Sequence, residues 1–279
     1  MGSIDPRGDT QNTRVEAGFE LLRTKFALPR LTPQFVPRAA LLARLDAGLE
    51  QKLALISAPA GFGKTSLISS WLQQVHLPVA WLSLDEDDND FARFWTYFIA
   101  ALQVIHPEVG THLLALLQSS PLPPRHALLT PLINDLAGIS EKFILVLDDY
   151  HLIENESIDQ ALTFFIDHLP QKVHLAIATR ADPDLSLSRL RANGQVNELR
   201  SADLRFTQPE TAQFLGQMTG LSLSAAEVAA LDQRTEGWIA GLQMAALSLR
   251  QREAAGVAQF IGEFSGSHRY IINYLVDEV

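Results

Sequence analysis

Four short apolar runs set the strongest limit on how this chain can fold: "LALISA" (53–58), "VAWLSL" (79–84), "FILVLDD" (143–149) and "VHLAIATR" (173–180). Each is continuous rather than alternating, and each gives way to polar or small residues. Runs of this kind suit parallel strands covered on both faces. "QVNEL" (195–199) is a weaker fifth candidate. Helical stretches lie between them. Leu41, Leu42, Leu45 and Leu49 share one face, and a helix is expected from about Lys64 to Val75. Phe91, Phe94, Trp95, Phe98, Ile99 and Leu102 recur at helical spacing and form one apolar face. Strands alternating with helices predict an α/β fold, a doubly wound parallel sheet of about five strands with right-handed crossovers. Ligands are then expected at the carboxyl ends of the strands.

Past about Ser201 the strand signals stop. "TQPE" (207–210) and "SAAE" (224–227) each place a hydroxyl residue three positions before a glutamate, the pattern of a capping box, so two helices should begin there. "WIAGLQMAALSLR" (238–250) and "HRYIINYLVDEV" (268–279) supply two more. The expected organisation is a flexible arm over residues 1–18, a nucleotide-binding α/β domain over 19–200 and a small all-α domain over 201–279. Ending on an apolar amphipathic segment points to a longer parent chain.

The charge balance narrows the partners. Lys+Arg number 22 and Asp+Glu 32, a net −10, so the average surface repels a phosphate backbone and direct DNA contact by this segment is not expected. With no cysteine there are no disulfides and no thiolate metal sites, in keeping with a cytoplasmic protein. No run approaches the roughly 18 apolar residues of a membrane span, and the N-terminus lacks a secretory apolar region, so no membrane partner is expected. No pair of the eight histidines at i, i+4 encloses a glutamate, which removes zinc-hydrolase chemistry.

Residues 58–65 read A-P-A-G-F-G-K-T against the phosphate-loop pattern G-x-x-x-x-G-K-[ST], with Ala58 in place of the first glycine. Gly61 and Gly63 allow the backbone to turn successive N–H groups inward, and with the start of the next helix these donors form an anion cradle. Pro59, Ala60, Gly61, Phe62, Gly63, Lys64, Thr65 and Ser66 are therefore the expected phosphate-binding residues. Lys64 would reach the β- and γ-phosphates of ATP or ADP, and the Thr65 hydroxyl would ligate Mg²⁺. A strand before the loop and a helix after it are the context this motif requires.

A magnesium nucleotide also needs a carboxylate at a neighbouring strand tip. Asp148 is the metal candidate, and Asp149 the candidate for positioning or deprotonating the attacking water. The strand "VAWLSL" falls between loop and acid, which predicts a sheet whose acid-bearing strand is not the next in sequence. Arg180, closing "LAIATR", is placed to sense the γ-phosphate. Arg189 and Arg191 are weaker candidates for that task. "DEDDND" (85–90) lacks the glycine and distal glutamate of a calcium loop, so it is assigned to capping the following helix. His151 reads as structural, and Trp81, Trp95 and Trp238 as core.

With these residues in place the chain resembles the MalT-like regulators, the large ATP-dependent branch of LuxR-type transcription factors within the STAND class of P-loop NTPases. The resemblance runs from about residue 20 to the end through "LLRTKFALPRL", "FVPRAALLARL", "APAGFGKTSL", "WLSLDEDDNDFARFW", "LVLDDYHLI", "LRFTQPE", "TEGWIAGLQMAALSL" and "YIINYLVDEV". It implies that Val36, Pro37 and Arg38 border the adenine and phosphates, and that Asp149 is the catalytic acid. It also implies a resting ADP state, exchange for ATP when an inducer binds a downstream sensor domain, and self-association on activation. Winged-helix, repeat and helix-turn-helix domains would follow Val279. The family often has proline where this chain has Ile239, leaving a nucleotide contact there open. Two other readings of the loop stand beside this one: a self-contained phosphotransferase acting on a small acceptor, and a degenerate loop used only for protein contacts.

Overall fold

The structure is a computed structural model that describes residues 20–250, 259–262 and 264. The expected arm over 1–18 and the expected helix over 268–279 lie outside the described residues. Five strands form one sheet: β1 (Leu53–Ser57), β2 (Val79–Ser83), β3 (Phe143–Asp148), β4 (Val173–Thr179) and β5 (Val196–Arg200). All pair in parallel, in the order β2-β3-β4-β1-β5. The weak candidate "QVNEL" is thus the edge strand β5, and β4 separates the loop-bearing β1 from the acid-bearing β3.

Helix α1 (Ala39–Ala47) precedes β1, and between the strands lie α2 (Lys64–Leu72), α3 (Phe91–Gln103), α4 (Thr111–Leu117), α5 (Arg125–Ala137), α6 (Glu156–Asp167) and α7 (Leu187–Ala192). Their packing explains the continuous apolar runs. Leu53, Leu55, Leu145, Leu147, Leu175 and Ile177 face a core built with α3 to α6, while Ala54, Ile56, Ile144, Val146, Ala176 and Ala178 face α1 and α2. Both strand faces are dry, so neither can be polar. Phe94, Trp95 and Phe98 of α3 are fully buried, as the helical spacing predicted, and Trp95 and Phe98 meet the ring of Phe165 in α6 edge-on.

After β5 come α8 (Ser201–Leu204), α9 (Gln208–Thr219), α10 (Ala225–Thr235) and α11 (Ile239–Leu249). Both expected capping boxes form, Thr207 with Glu210 and Ser224 with Glu227. The last three of these share a third core, to which Val36 from the N-terminal segment also belongs, while Leu204 of α8 packs into the core on the α1/α2 face of the sheet.

The acidic run caps α3 as expected: Asp90 Oδ1 accepts from the Arg93 N–H at 2.8 Å. It also does something the sequence did not announce. Asp88 is 0% exposed and takes a hydrogen bond from Lys25 Nζ at 2.5 Å; Lys25 meets Asp85 at 2.7 Å and lies 4.4 Å from the Tyr97 ring centre. The segment Arg23–Phe26 is thereby pinned beside the edge strand β2. Breaking a buried pair leaves a charge in a dry site. Lys25→Ala should cost about 3 kcal/mol, the low end for such losses because Arg93 and the Asp85 N–H remain near Asp88. Urea unfolding checks this; a loss under about 1 kcal/mol would mean the pair behaves as a surface ion pair.

Candidate nucleotide site

β1 ends at Ser57 and α2 begins at Lys64, and the turn between them depends on two glycines in the left-handed region, Gly61 (φ 76°) and Gly63 (φ 74°). A side chain at Gly63 would be strained by that φ and would meet Ile239 Cδ1 at 3.0 Å. Ala58, standing where the motif has its first glycine, is 2% exposed and packs into the core on the α1/α2 face of the sheet. Lys64 is 7% exposed, and its ammonium folds back across the loop to the carbonyls of Ala58 (2.8 Å) and Pro59 (3.1 Å).

β3 delivers Asp148 to the same end of the sheet. The Thr65 hydroxyl donates to its carboxylate, with oxygen distances of 3.1 and 3.0 Å. Burial, and secondarily the adjacent Asp149 charge, push the Asp148 carboxyl up to about 7, against the hydrogen bond from Thr65. Asp149 is in the left-handed region (φ 59°), a rare conformation for a residue with a side chain, and its carboxylate lies 3.8 Å from His151 Nδ1. Ala60, Gly61, Gly63, Lys64, Thr65, Ser66, Asp149 and Arg180 line one polar cavity of about 220 Å³. The expected loop, the catalytic candidate Asp149 and the sensor candidate Arg180 thus meet in one place.

A second cavity of about 190 Å³ adjoins it, sharing Gly63 and Ser66. Its walls are largely apolar, with Phe35 and Val36 from the N-terminal segment, Phe62 and Leu67 from the loop and α2, and Phe206, Phe214, Met218 and Ile239 from the helical region. An apolar slot beside a polar cradle is the shape a nucleoside and its phosphates require.

Three expected site residues are placed differently. Arg38 reaches the second cavity, but its guanidinium is engaged elsewhere: it donates to the carbonyls of Leu204 (2.9 Å) and Arg205 (2.8 Å) and pairs with Glu210 at 2.6 Å. It clamps the start of the helical region to the N-terminal segment, with no donor turned to the cradle among these contacts. Pro37 is exposed and lines neither cavity, because in an extended segment it points opposite to the buried Val36 and Arg38. Pro59 is exposed too and contributes its carbonyl rather than its ring. Arg189 and Arg191, the weaker sensor candidates, pair with Asp167 and with Asp182 and Glu198 instead. Trp238 is half-buried and packs against the edge of the third core, and its indole N–H also donates to the carbonyl of Ala60 in the loop, at 3.0 Å.

Among the described residues no group of three or more His, Cys, Asp or Glu could hold a metal by itself. Mg²⁺ binds through few protein oxygens plus phosphate and water. The donor set fits: Thr65 Oγ1 and the Asp148 carboxylate are hard oxygens already in contact, and the Asp148 carboxylate is buried with the Lys64 charge acting on it.

Fold and cavity together define a P-loop NTPase module. A family profile described as the AAA ATPase domain matches residues 34–178, and the chain belongs to that family. It is 36% identical over 261 residues to the HTH-type transcriptional regulator MalT of Yersinia pestis, covering 93% of this chain and 29% of that protein. MalT of Klebsiella pneumoniae gives the same identity and the same coverage over 264 residues. The likeness to MalT-like regulators read from the motifs therefore holds over nearly the whole chain, and the chain spans about 29% of the length of those relatives. A solved Walker-type ATPase of Pyrococcus abyssi superposes with a TM-score of 0.55 over 86% of this chain and 75% of its own, at 14% identity, which speaks for the fold alone. Among the described residues no helix is long and apolar enough to cross a membrane.

Proposed function

We propose that this chain is the ATP/ADP-binding switch module of a signal-responsive, cytoplasmic transcriptional regulator, and that it hydrolyses ATP slowly with Mg²⁺ to control self-association. The observation that carries the reading is the convergence of Lys64, Thr65, Asp149 and Arg180 on one cavity, with Asp148 held by Thr65 and an apolar slot adjoining. In this reading the amides of the loop and Lys64 bind the phosphates, and the apolar slot takes the base. Thr65 and Asp148 would hold Mg²⁺, which would supply charge neutralisation to the phosphates when bound. Asp149 orients water at the γ-phosphate and accepts its proton, while Arg180 registers whether that phosphate is present. The downstream sensor domain and a second copy of the parent chain are the expected partners.

The slow rate follows from supply of positive charge. A positioned arginine finger is worth roughly 10³ to 10⁵ in rate, and the cavity lining contains Arg180 as its one arginine. Turnover below about 1 s⁻¹, the low edge of ordinary enzymes, with ADP or ATP released on heating the purified chain, is the expected result. Steady hydrolysis well above that rate would defeat the switch reading, and a failure to bind either nucleotide in calorimetry would defeat the site.

A further inference from the structure

The phosphate loop has a back as well as a front. A backbone that turns consecutive N–H groups inward to an anion must turn carbonyls outward, and outward carbonyls in a packed protein need donors. Two of them find donors at the start of α11, one from its N-cap residue Trp238 and one from its first turn. Trp238 Nε1 donates to the Ala60 carbonyl at 3.0 Å, and the Ala240 N–H donates to the Gly61 carbonyl at 3.0 Å. Ala240 lies in the first turn of α11, where backbone N–H groups have no partner within the helix, so the loop satisfies a donor the helix leaves over. Between these two contacts Ile239 forms part of the apolar slot and stands against Gly63.

The turn before α11 is shaped for this contact. Glu236 (φ 50°) and Gly237 (φ 70°) are both left-handed, and a side chain at Gly237 would meet the Phe206 carbonyl at 2.5 Å. Gly237 in turn accepts from the Phe206 N–H at 2.9 Å, and Arg38 holds the carbonyls of Leu204 and Arg205 just before Phe206. The chain of contacts runs from the N-terminal segment through 204–206 and 237 to the loop itself. Three successive residues, 238 to 240, thereby grip the loop from behind and close one wall of the slot in front.

We infer that Trp238 is a positioning residue for nucleotide retention: its indole N–H staples α11 to the back of the phosphate loop, so the slot opens for exchange only when α11 lets go. The inference rests on the nucleotide reading of the cavities. It gives the helical region a direct mechanical hold on the loop, through which movement of a downstream domain would be felt as faster release.

Trp238→Phe keeps the ring that packs beside Gly241 and removes the one N–H that reaches Ala60. A single hydrogen bond of ordinary net strength corresponds to a factor of up to about ten. Release of a fluorescent ADP carrying a methylanthraniloyl label, chased with excess ADP, should therefore be roughly five- to tenfold faster in Trp238→Phe. Its association rate should rise as well, because the same gate stands in the way of entry, whereas an ordinary loss of contact acts mainly on release. Unchanged release from a folded variant overturns the staple. Should Trp238→Phe fail to fold, hydrogen exchange in the unaltered chain decides: ADP should slow exchange in the segment 237–242, and equal exchange with and without ADP overturns the inference. If the unaltered chain binds no labelled ADP at all, the nucleotide reading itself falls and takes the staple with it, an outcome distinct from normal binding with unchanged release.

Discussion

Lys64→Ala should weaken ADP binding by roughly two orders of magnitude, the cost of one or two charge-assisted hydrogen bonds lost inside a sheltered site. The lysine is almost wholly buried, and its ammonium is held over the loop by the Ala58 and Pro59 carbonyls. It needs only a short swing to meet a phosphate in the same cavity, where Arg180 is the other cationic lining residue. Calorimetric titration with ADP measures the loss. Thermal unfolding gives a second readout, since saturating ligand at about 100 times Kd raises stability by about 2.7 kcal/mol, and that increment should shrink sharply in the variant. Without nucleotide the variant should melt close to the unaltered chain, because the two carbonyls freed lie in a loop beside an open, hydratable cavity. Equal ADP affinity in the two proteins would show that the polar cavity is not a phosphate site.

How much of this was readable beforehand follows from where each signal resides. The four apolar strands β1 to β4 were legible because both their faces are dry, which forces continuous apolar sequence. β5 was faint for the same physical reason in reverse: as an edge strand with partly exposed residues it carries Asn197, Glu198 and Arg200 among its five positions. The loop, Asp148, Asp149 and Arg180 were legible because each sits at the end of its strand, and parallel pairing brings those ends together. The apolar slot was much less so. Its walls come from residues 32–38, 62–67 and 204–243, and nothing local in any of those stretches marks a cavity. Arg38 shows the limit most plainly. A guanidinium beside a phosphate loop and one clamping backbone carbonyls of the 203–205 segment have the same sequence signature, and only the position of that segment separates them. Lys25 and Asp88 lie 63 residues apart, so their pairing was equally hidden inside an acidic run read as a helix cap. Trp238 was legible as a core-packing ring, but its hydrogen bond to the loop was not, because the partner lies 178 residues away.

Asp149→Asn should leave nucleotide binding within about threefold while cutting hydrolysis by roughly 10² or more, the range for removing a general base. Asparagine is the informative replacement. Asp149 occupies the left-handed region, which Asn tolerates nearly as well as Asp, whereas Ala there would add backbone strain to the loss of the carboxylate. The change also removes one of the two causes that raise Asp148, so the neighbouring carboxylate ionises more readily and its capacity for a cation is not diminished. The two acids should therefore separate in assay: Asp148→Asn should weaken the Mg²⁺ dependence of ATP binding, whereas Asp149→Asn should spare it and stop phosphate release. Phosphate release in a single turnover, with nucleotide affinity measured in parallel, checks both. Undiminished release by Asp149→Asn would remove this residue from the chemistry and leave the positioning of water to Arg180 or to a group supplied by another copy of the chain.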